Sequence, residues 1–236
     1  MLVDKHPILA LIPARAGSKG LPGKNMRMVN GIPLVGYSLK AALNSKYINE
    51  VYLSSDHEAT LSYGKDVGAT PIFRTAAYSS DTASANSVVE HFISNLSKNL
   101  LEKNPYIIYL QPTSPLRTAN HIDDALSKMI AKGLDKLVSV TQVDKSPFKS
   151  FLVDKNGCLQ ALFSEEMTNK RRQDIPTAYT ANGALYVFLY SDFKKKRAFP
   201  SNGAYPYIMN AEVSLDIDTS EDLIILERII KSKSQE

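Results

Sequence analysis

ILALIPARAGSKGLPGKN, residues 8–25, places a short apolar run directly before a loop rich in glycine and basic residues. The run at residues 8–12 predicts a buried strand, and a helical pattern of apolar residues begins only at Leu34. Open α/β sheets bind their ligands in loops at the carboxyl ends of such strands. We therefore expect this stretch to form the first strand and the ligand-binding loop of an α/β protein.

The loop combines three glycines with three cations and one amide, which are Arg15, Lys19, Lys24 and Asn25. Because glycine lets backbone N–H groups come close to an anion, this combination predicts a triphosphate site. The spacing differs from the kinase-type loop G-x-x-x-x-G-K-[ST], which would need glycine at Ser18 and a hydroxyl at Asn25, and there is no G-x-G-x-x-G. The alternative is a solvated surface loop.

Length and composition favour one large domain, or one domain with an added lobe. A chain of 236 residues can bury a core that folds without a disulfide or a metal. Its single cysteine, Cys158, excludes an internal disulfide framework and a cysteine-based zinc site, and we interpret it as an inert thiol in a reducing compartment. The sequence has no apolar run of about 18 residues and no signal pattern, so we expect a soluble, cytoplasmic protein without a membrane partner.

The charge pattern does not indicate a nucleic-acid partner. The formal charge is only +4, and the basic clusters at residues 170–172 and 194–197 lack interleaved aromatic residues that could stack on bases. Four histidines are scattered without metal-ligand spacing, so we assign no role to any of them: His6, His57, His91 and His121.

Strands and helices alternate along most of the chain, which is the pattern of a doubly wound, mostly parallel α/β sheet. The predicted strands occupy residues 8–12, 50–54, 70–73, 106–110, 136–141, 184–190 and 213–217. Predicted helices occupy residues 34–45, 57–67 and 119–132, and a final helix is capped by residues 219–222. A further long helix is predicted after the cap Ser80-Asp81-Thr82, with apolar residues from Val88 to Leu100 on one side.

Residues 142–182 interrupt this alternation with short apolar pieces, prolines and many polar residues. We interpret them as an inserted, mostly irregular or β-rich lobe, because the following side chains need burial: Phe148, Phe151, Leu152, Leu159, Leu162 and Phe163. We predict that this lobe packs against its own copy in a two-fold homodimer, since that is the commonest closed symmetry.

Two further stretches carry chemistry. LQPTSPLRT, residues 110–118, leaves a buried strand with two prolines that stiffen a polar loop, which suits recognition of a base or sugar; the alternative is a proline-shaped turn. In SLDIDT, residues 214–219, a strand would point Asp216 and Asp218 to the same face. Two such carboxylates suit Mg²⁺, which proteins hold with one or two carboxylates plus substrate phosphates. Otherwise Asp218 is a helix N-cap and Asp216 a surface residue.

Five motifs in this order resemble the CMP-N-acylneuraminate synthetase family, the cytidylyltransferases that activate sialic acid and related nine-carbon keto acids. They are A-R-x-G-S-K-G-L-P-x-K-N (14–25), S-D-T-A-S (80–84), L-Q-P-T-S-P-L-R-T (110–118), N-G-A-L-Y (182–186) and S-x-D-I-D-T (214–219). Taken alone, residues 80–84 favour a helix cap over a binding site. Asp56, at the end of a predicted strand, could likewise be either a cap or a site residue. The resemblance runs from residue 8 to about 226 and implies one nucleotidyltransferase (Rossmann-like) domain over residues 1–236, with the dimerisation lobe at about 142–182.

The resemblance also implies site roles. The nucleotide, CTP, would be bound by Ala14, Arg15, Gly17, Ser18, Lys24, Asn25, Ser80, Asp81 and Gln111. The sugar acid would be bound by Gln111, Lys149, Arg172, Tyr186 and Phe199, with Arg172 pairing with its carboxylate. Asp216 and Asp218 would hold the cofactor Mg²⁺, and Arg15, Lys24 and Asp216 would be catalytic. We expect Arg15 and Lys24 to face solvent when substrate is absent.

The implied reaction transfers CMP from CTP to the anomeric hydroxyl of a nonulosonic acid and releases pyrophosphate. Alternatives are a nucleotidyltransferase that uses UTP or an eight-carbon keto acid, and a noncatalytic sugar-nucleotide binding module. Sialic acid-using members of the family carry an arginine where this chain has Thr180. We therefore expect a preference for a less hydroxylated 5,7-diacetamido acid, of the legionaminic or pseudaminic type, over N-acetylneuraminic acid.

Overall fold

A computed structural model describes residues 6–17, 20–80, 83–144 and 146–233. Seven strands form one sheet in the order β11-β7-β10-β6-β1-β4-β5. Their bounds are β1 Ile8–Pro13, β4 Glu50–Ser55, β5 Thr70–Phe73, β6 Tyr106–Tyr109, β7 Lys136–Gln142, β10 Tyr179–Leu189 and β11 Tyr205–Ile208. All neighbouring pairs are parallel except those of β10, which is antiparallel to both β6 and β7.

The remaining elements surround this sheet or extend from it. Two short hairpins pair β2 (Met28–Val29) with β3 (Ile32–Pro33), and β8 (Phe151–Val153) with β9 (Leu159–Ala161). The helices are α1 Leu34–Leu43, α2 Glu58–Asp66, α3 Ala76–Ser79, α4 Ala85–Ser94, α5 Lys98–Glu102, α6 Ala119–Ala131, α7 Glu165–Asn169, α8 Tyr190–Lys196 and α9 Ser220–Lys233. None of the helices among the described residues is both long and apolar enough to cross a membrane.

The sheet is covered on both faces, as the apolar run of β1 predicts. Ile8, Ala10 and Ile12 pack with residues of α1 and α6 in one buried cluster. Leu9 and Leu11 point the other way and pack with residues of α4 in a second cluster. Burial of each large apolar side chain contributes about 1.5–3 kcal/mol, so β1 stabilises the packing of helices on both faces of the sheet. The prediction of a doubly wound, mostly parallel α/β sheet is confirmed.

The predicted strand at residues 213–217 is wrong. This segment contains a 3₁₀ turn, Ala211–Val213, and continues without strand structure. The place beside β7 is taken by β11, where Tyr207 is buried. Residues 214–218 are instead fixed by separate hydrogen bonds, such as that from the Ile217 N–H to the Thr113 carbonyl oxygen at 2.9 Å.

The long helix predicted after residues 80–82 is also wrong in two respects. Its N-cap is Ser84, whose hydroxyl accepts from the Ser87 N–H. The helix ends at Ser94, and a separate helix α5 begins because the Ser97 hydroxyl caps it by accepting from the Leu100 N–H. The apolar spacing predicts one helix, but serine side chains that accept from backbone N–H groups divide it into two.

The segment between β7 and β10 contains the hairpin β8–β9, helix α7 and short 3₁₀ turns. It leaves and re-enters the sheet at one rung, because Gln142 of β7 pairs with Tyr179 of β10. In the single chain most of its apolar side chains are exposed: Phe151, Leu152, Leu159, Leu162 and Phe163. Two short strands and one short helix have too little surface to cover these side chains.

Candidate active site

The glycine-rich loop is anchored at the carboxyl end of β4. The Ala14 N–H donates to the Ser54 carbonyl oxygen at 2.8 Å, and the Ser55 hydroxyl donates to the Ala14 carbonyl oxygen at 2.6 Å. The Ala16 N–H donates to Asp56 Oδ1 at 2.7 Å. These bonds make Asp56 a residue that holds the loop, and Ala14 lies buried beneath it.

Lys24 joins this loop to the carboxylate segment. It follows Gly23, whose left-handed φ of 64° starts a 3₁₀ turn. Lys24 Nζ donates to the Ile217 carbonyl oxygen at 2.7 Å and to Asp218 Oδ1 at 3.0 Å. Only 9% of the residue is exposed, so the expectation that Lys24 faces solvent is wrong. Its ammonium group can be buried because a carbonyl and a carboxylate both accept its protons.

Two other loop residues reinforce this arrangement. Asn25 Nδ2 donates to the Arg15 carbonyl oxygen at 2.8 Å, which bends the loop back on itself. Gly20 passes so close to the carboxylate segment that a Cβ there would lie 2.7 Å from the Asp218 carbonyl oxygen. Arg15 is half-buried. The predictions for Ser18, Lys19, Asp81 and Thr82 lie outside the described residues.

Asp216 and Asp218 flank the buried Ile217. Desolvation raises the pKa of Asp216, and the nearby Asp218 charge raises it further, while a hydrogen bond from Thr113 and the Lys24 charge act in the opposite direction. Part of the Asp216 side chain still reaches solvent. The two carboxylates therefore interact, although not through the strand geometry that the sequence predicts.

Asp218 is not the cap of α9. Thr219 and Asp222 form that cap, since the Asp222 N–H donates to Thr219 Oγ1 at 3.3 Å and the Thr219 N–H donates to Asp222 Oδ2 at 2.8 Å. Backbone hydrogen bonds from Asp218 and Thr219 lower the pKa of Asp222. The Asp216 and Asp218 side chains thus take no part in the cap; Asp218 contacts Lys24, and Asp216 accepts from Thr113.

The donor set at this point fits a magnesium ion that also binds a substrate. Among the described residues, no three histidine, cysteine or acidic side chains converge as a metal cage. Mg²⁺ seldom uses such a cage, and it is commonly held by one or two carboxylates together with phosphate oxygens. Asp216 and Asp218, beside a cationic loop, match that pattern.

An open cleft of about 220 Å³ lies between the loop, the end of β6 and the start of α4. Its lining includes Arg15, Gly17, Lys24 and Asn25 from the loop, Tyr109, Gln111 and Thr113 from β6 and beyond, and Arg74, Ala83 and Val88. The structure thus brings together five of the predicted nucleotide-binding residues, four from the loop and Gln111 from the segment after β6. Ser80 does not line this cleft.

Sequence analysis missed Arg74. This residue is 2% exposed, yet it lines the cleft, and its Nε and Nη2 atoms have no hydrogen-bond partner among the described residues. Burial lowers its pKa, as does Arg15, whereas Tyr109 and Asp56 raise it. Buried donors are nearly always satisfied, so these N–H groups indicate an acceptor supplied by a ligand. The available signal was an arginine directly after β5, at the same sheet edge as the loop.

A second cavity of about 290 Å³ adjoins the first, because Ala85, Tyr109 and Gln111 line both. Tyr186 and Phe199 line it as well, as predicted for one site. The Phe199 ring meets the rings of Tyr109 and Tyr186 edge-on, at centroid distances of 4.8 and 5.4 Å. This cavity therefore has an aromatic wall and, in Gln111, a polar group at its junction with the cleft.

Residues 110–118 are more than a proline-shaped turn. Arg117 is fully buried, and its guanidinium donates to the carbonyl oxygens of Gln111 at 3.2 Å and Ala184 at 2.9 Å, and to the Ser38 hydroxyl. Desolvation lowers its pKa. Arg117 thereby fixes the backbone at Gln111 against β10 and α1.

The structure does not bring Lys149 and Arg172 to this site within one chain. Lys149 Nζ donates to the Thr168 carbonyl oxygen at 3.1 Å, and Arg172 contacts the Asp144 carbonyl oxygen at 3.5 Å, both within the lobe. Neither residue lines the two cavities. Thr180 is exposed on β10 and also lies outside their lining.

Solved structures share this fold. CMP:2-keto-3-deoxy-manno-octonic acid synthetase, in a complex with CTP, superposes with a TM-score of 0.70 at 16% identity, over 96% of this chain and 99% of that one. 4-Diphosphocytidyl-2C-methyl-D-erythritol synthase from Anaerococcus prevotii gives a TM-score of 0.67 at 13% identity, over 98% of both chains. At these identities the likeness concerns the fold alone.

Sequence relatives are more similar. The N-acylneuraminate cytidylyltransferase of Streptococcus agalactiae serotype III is 32% identical over 92% of this chain, which spans about half (51%) of that protein's length. The CMP-N,N'-diacetyllegionaminic acid synthase of Legionella pneumophila is 32% identical over 95% of this chain and 96% of its own. The pseudaminic acid cytidylyltransferase of Campylobacter jejuni is 32% identical over 91% and 92%, respectively.

A family model also matches nearly the whole chain. Its description is cytidylyltransferase, and the match covers residues 9–233, from β1 to the last turn of α9. That range includes the loop, the carboxylate segment and both cavities. The chain therefore belongs to the cytidylyltransferase family.

Proposed function

We propose that this protein transfers CMP from CTP to the anomeric hydroxyl of a nine-carbon keto sugar acid and releases pyrophosphate. The observation that carries this proposal is the continuity of the two cavities, with the cationic loop at one end and an aromatic wall at the other. Lys24, which lines the first cavity, joins it to the carboxylate segment by donating to Asp218. The names of the Streptococcus, Legionella and Campylobacter relatives support a substrate of this class.

The nucleotide would occupy the first cleft. Arg15 and Lys24 supply positive charge beside the glycine-rich loop, which suits the triphosphate. The buried N–H groups of Arg74 suit the carbonyl and ring-nitrogen acceptors of a cytosine ring. With Asn25 and Gln111 on facing walls, these groups would orient the α-phosphate towards the second cavity.

Catalysis would rest on positioning and electrostatics. The anomeric oxygen attacks the α-phosphorus in line, and the bond from that phosphorus to the bridging oxygen breaks, so its electron pair leaves with pyrophosphate. Asp216 would accept the proton of the attacking hydroxyl. Arg15 and Lys24 stabilise the charge of the departing pyrophosphate. Asp216 and Asp218 would hold Mg²⁺, which neutralises phosphate charge when bound.

For the sugar acid we propose a 5,7-diacetamido, 9-deoxy type, as in legionaminic or pseudaminic acid. An aromatic wall formed by Tyr109, Tyr186 and Phe199 suits methyl and acetamido groups better than free hydroxyls. A hydroxyl buried without a partner disfavours binding by ~1–3 kcal/mol. The relatives named for these two sugars also match this chain over nearly their full length.

A homodimer would complete the sugar side of the site. Lys149 and Arg172 lie on the lobe, away from both cavities of their own chain, and the lobe exposes a patch of apolar side chains. We propose that these apolar side chains pack between two copies, so that the lobe of one copy supplies cations to the cleft of the other. The reaction would take place in the cytoplasm, where CTP is available.

The decisive experiment offers the purified protein CTP with Mg²⁺ and a panel of nonulosonic acids, and measures pyrophosphate. We expect release only when CTP and a nine-carbon acid are both present. Equal turnover with UTP, or with an eight-carbon keto acid alone, would favour another sugar nucleotidyltransferase. Tight CTP binding without pyrophosphate release for any acid would favour a noncatalytic binding module.

A further inference from the structure

A buried irregularity in β10 lies between the two halves of the site. The pairing of β10 with β7 shifts register between Ala181 and Tyr186, which is a β-bulge. Asn182 sits in this bulge at 7% exposure, and its Oδ1 accepts from the Ser139 hydroxyl of β7 at 2.6 Å. The Leu185 N–H donates to the same hydroxyl at 2.7 Å. The Ser139 hydroxyl thus provides hydrogen bonds for the Leu185 N–H, which the bulge leaves without a strand partner, and for the buried Asn182 side chain.

The other end of the Asn182 amide reaches the carboxylate segment. Asn182 Nδ2 donates to the Ser214 hydroxyl at 2.9 Å, and that hydroxyl donates to the Asn210 carbonyl oxygen at 2.8 Å. Ser214 stands two residues before Asp216 in a segment that has no strand partner. Its position therefore depends on individual bonds of this kind.

The backbone of the bulge contacts the loop that carries Gln111. The Ser114 hydroxyl donates to the Asn182 carbonyl oxygen at 3.2 Å. Gly183 has a left-handed φ of 75°, and a Cβ there would clash with Gln111 Oε1. Glycine is required at this position for both reasons, and the close approach keeps the Gln111 side chain on the wall of the cleft.

We propose that Asn182 is a positioning residue that sets the location of the Asp216–Asp218 carboxylates relative to Gln111. The inference rests on the proposed function, in which Asp216 and Asp218 bind the metal and Gln111 binds substrate. An amide suits the task since it accepts from Ser139 and donates to Ser214 at once. Outer-shell partners of this kind orient the groups that hold a metal.

The test separates the two ends of the amide. Ser214→Ala removes the acceptor on the carboxylate side, Ser139→Ala removes the partner within the sheet, and Ser214→Thr keeps a hydroxyl. Mn²⁺ affinity is measured by electron paramagnetic resonance in the presence of CTP without sugar acid, and kcat and KM are measured with both substrates. We expect Ser214→Ala to weaken Mn²⁺ binding and kcat about 10-fold with KM for the sugar acid unchanged. Ser139→Ala should lower Tm and weaken Mn²⁺ binding clearly less than Ser214→Ala does, and Ser214→Thr should restore Mn²⁺ affinity.

Wild-type Mn²⁺ affinity in Ser214→Ala, or an equal loss in Ser139→Ala, would overturn the inference. Asn182→Asp is a second probe, because it keeps the acceptor for Ser139 and removes the donor to Ser214; we expect the same loss of Mn²⁺ affinity. If the unaltered protein binds Mn²⁺ and CTP but releases no pyrophosphate with any sugar acid, the proposed function fails. The Mn²⁺ comparison would still decide the role of Asn182 in that case.

Discussion

The glycine-rich loop and the lobe between β7 and β10 differ in how they are held. The loop is fixed by hydrogen bonds to other parts of the chain, from Ala16 to Asp56 and from Lys24 to Ile217 and Asp218, and Gly20 packs closely against Asp218. The Lys149 and Arg172 side chains of the lobe contact backbone oxygens within the lobe itself, and Leu152 and Leu159 are 55% and 69% exposed. The loop is therefore held by contacts within the single chain, whereas the lobe leaves an apolar surface for the homodimer that we propose.

This difference separates the part of the candidate site predicted for the nucleotide from the part predicted for the sugar acid. Five of the residues predicted to bind the nucleotide converge on one cleft, because parallel strands bring their carboxyl ends to the same sheet edge. The charged groups predicted for the sugar acid, Lys149 and Arg172, lie on the lobe and remain apart from it. Nucleotide binding should thus be a property of one copy, whereas use of the sugar acid should depend on assembly.

The largest effect should come from the carboxylate pair on the complete side. We expect Asp216→Asn to lower kcat about 1,000-fold, since it removes a charge that acts in the transition state. Asp218→Asn should severely raise the Mg²⁺ concentration needed for turnover. Pyrophosphate release across a Mg²⁺ series measures both effects, with the exposed Glu212→Gln as the matched control. Near-normal kcat in both variants at moderate Mg²⁺ would contradict the metal assignment.

Lys24 is a buried cation of the loop and Arg15 is a partly exposed one, so their alanine variants should differ in stability. Each loses a charge-assisted contact of ~1.5–3 kcal/mol when changed to alanine, so CTP turnover should fall at least about 10-fold for both. Only Lys24→Ala should also lower Tm clearly, because its ammonium group ties the loop to Ile217 and Asp218. Thermal unfolding with the exposed Lys65→Ala as control checks this. An unfolded Arg15→Ala protein would instead identify Arg15 as structural.

Charges placed on the lobe should act on assembly and on the sugar acid only. For Leu152→Glu with Leu159→Glu we expect a monomer by light scattering, a KM for the sugar acid raised about 10-fold, and unchanged CTP affinity. Phe73→Glu, at an apolar side chain that is 62% exposed outside the lobe, should leave all three unchanged. A monomer at micromolar concentration for the unaltered protein would remove the basis of this comparison.

The smallest effect concerns the choice of sugar acid. We expect kcat/KM for a 5,7-diacetamido acid to exceed that for N-acetylneuraminic acid about 10-fold, which corresponds to roughly 1.4 kcal/mol. Thr180→Arg should narrow the difference, and the exposed Thr177→Arg should not. Side-by-side kinetics measure it. A preference for N-acetylneuraminic acid in the unaltered protein would refute the sugar assignment and leave the cytidylyltransferase assignment intact.

Local patterns were sufficient for the sheet and the loop but not for groups fixed by tertiary contact. Continuous apolar runs predict β1 and β6, because strands buried on both faces must be apolar throughout. Nothing local distinguishes Lys24, which is buried by two distant acceptors, from an exposed lysine. Arg74 belongs to no motif, and only the meeting of β4 and β5 places it in the cleft. The strand predicted around Asp216 failed because β11 occupies the neighbouring edge.

The reversed direction of β10 has a consequence for how this enzyme class can diversify. Because β7 and β10 are antiparallel neighbours, the lobe begins and ends at one rung, Gln142 opposite Tyr179, close to the bulge that borders the site. The free-energy cost of closing a loop grows only slowly with its length, by about 0.6 kcal/mol per doubling. Insertions or deletions there would leave the strand order and the nucleotide cleft unchanged. The lobe, to which we assign a role in sugar-acid binding, could therefore change in length and sequence while the sheet and the cleft proposed for the nucleotide keep their geometry.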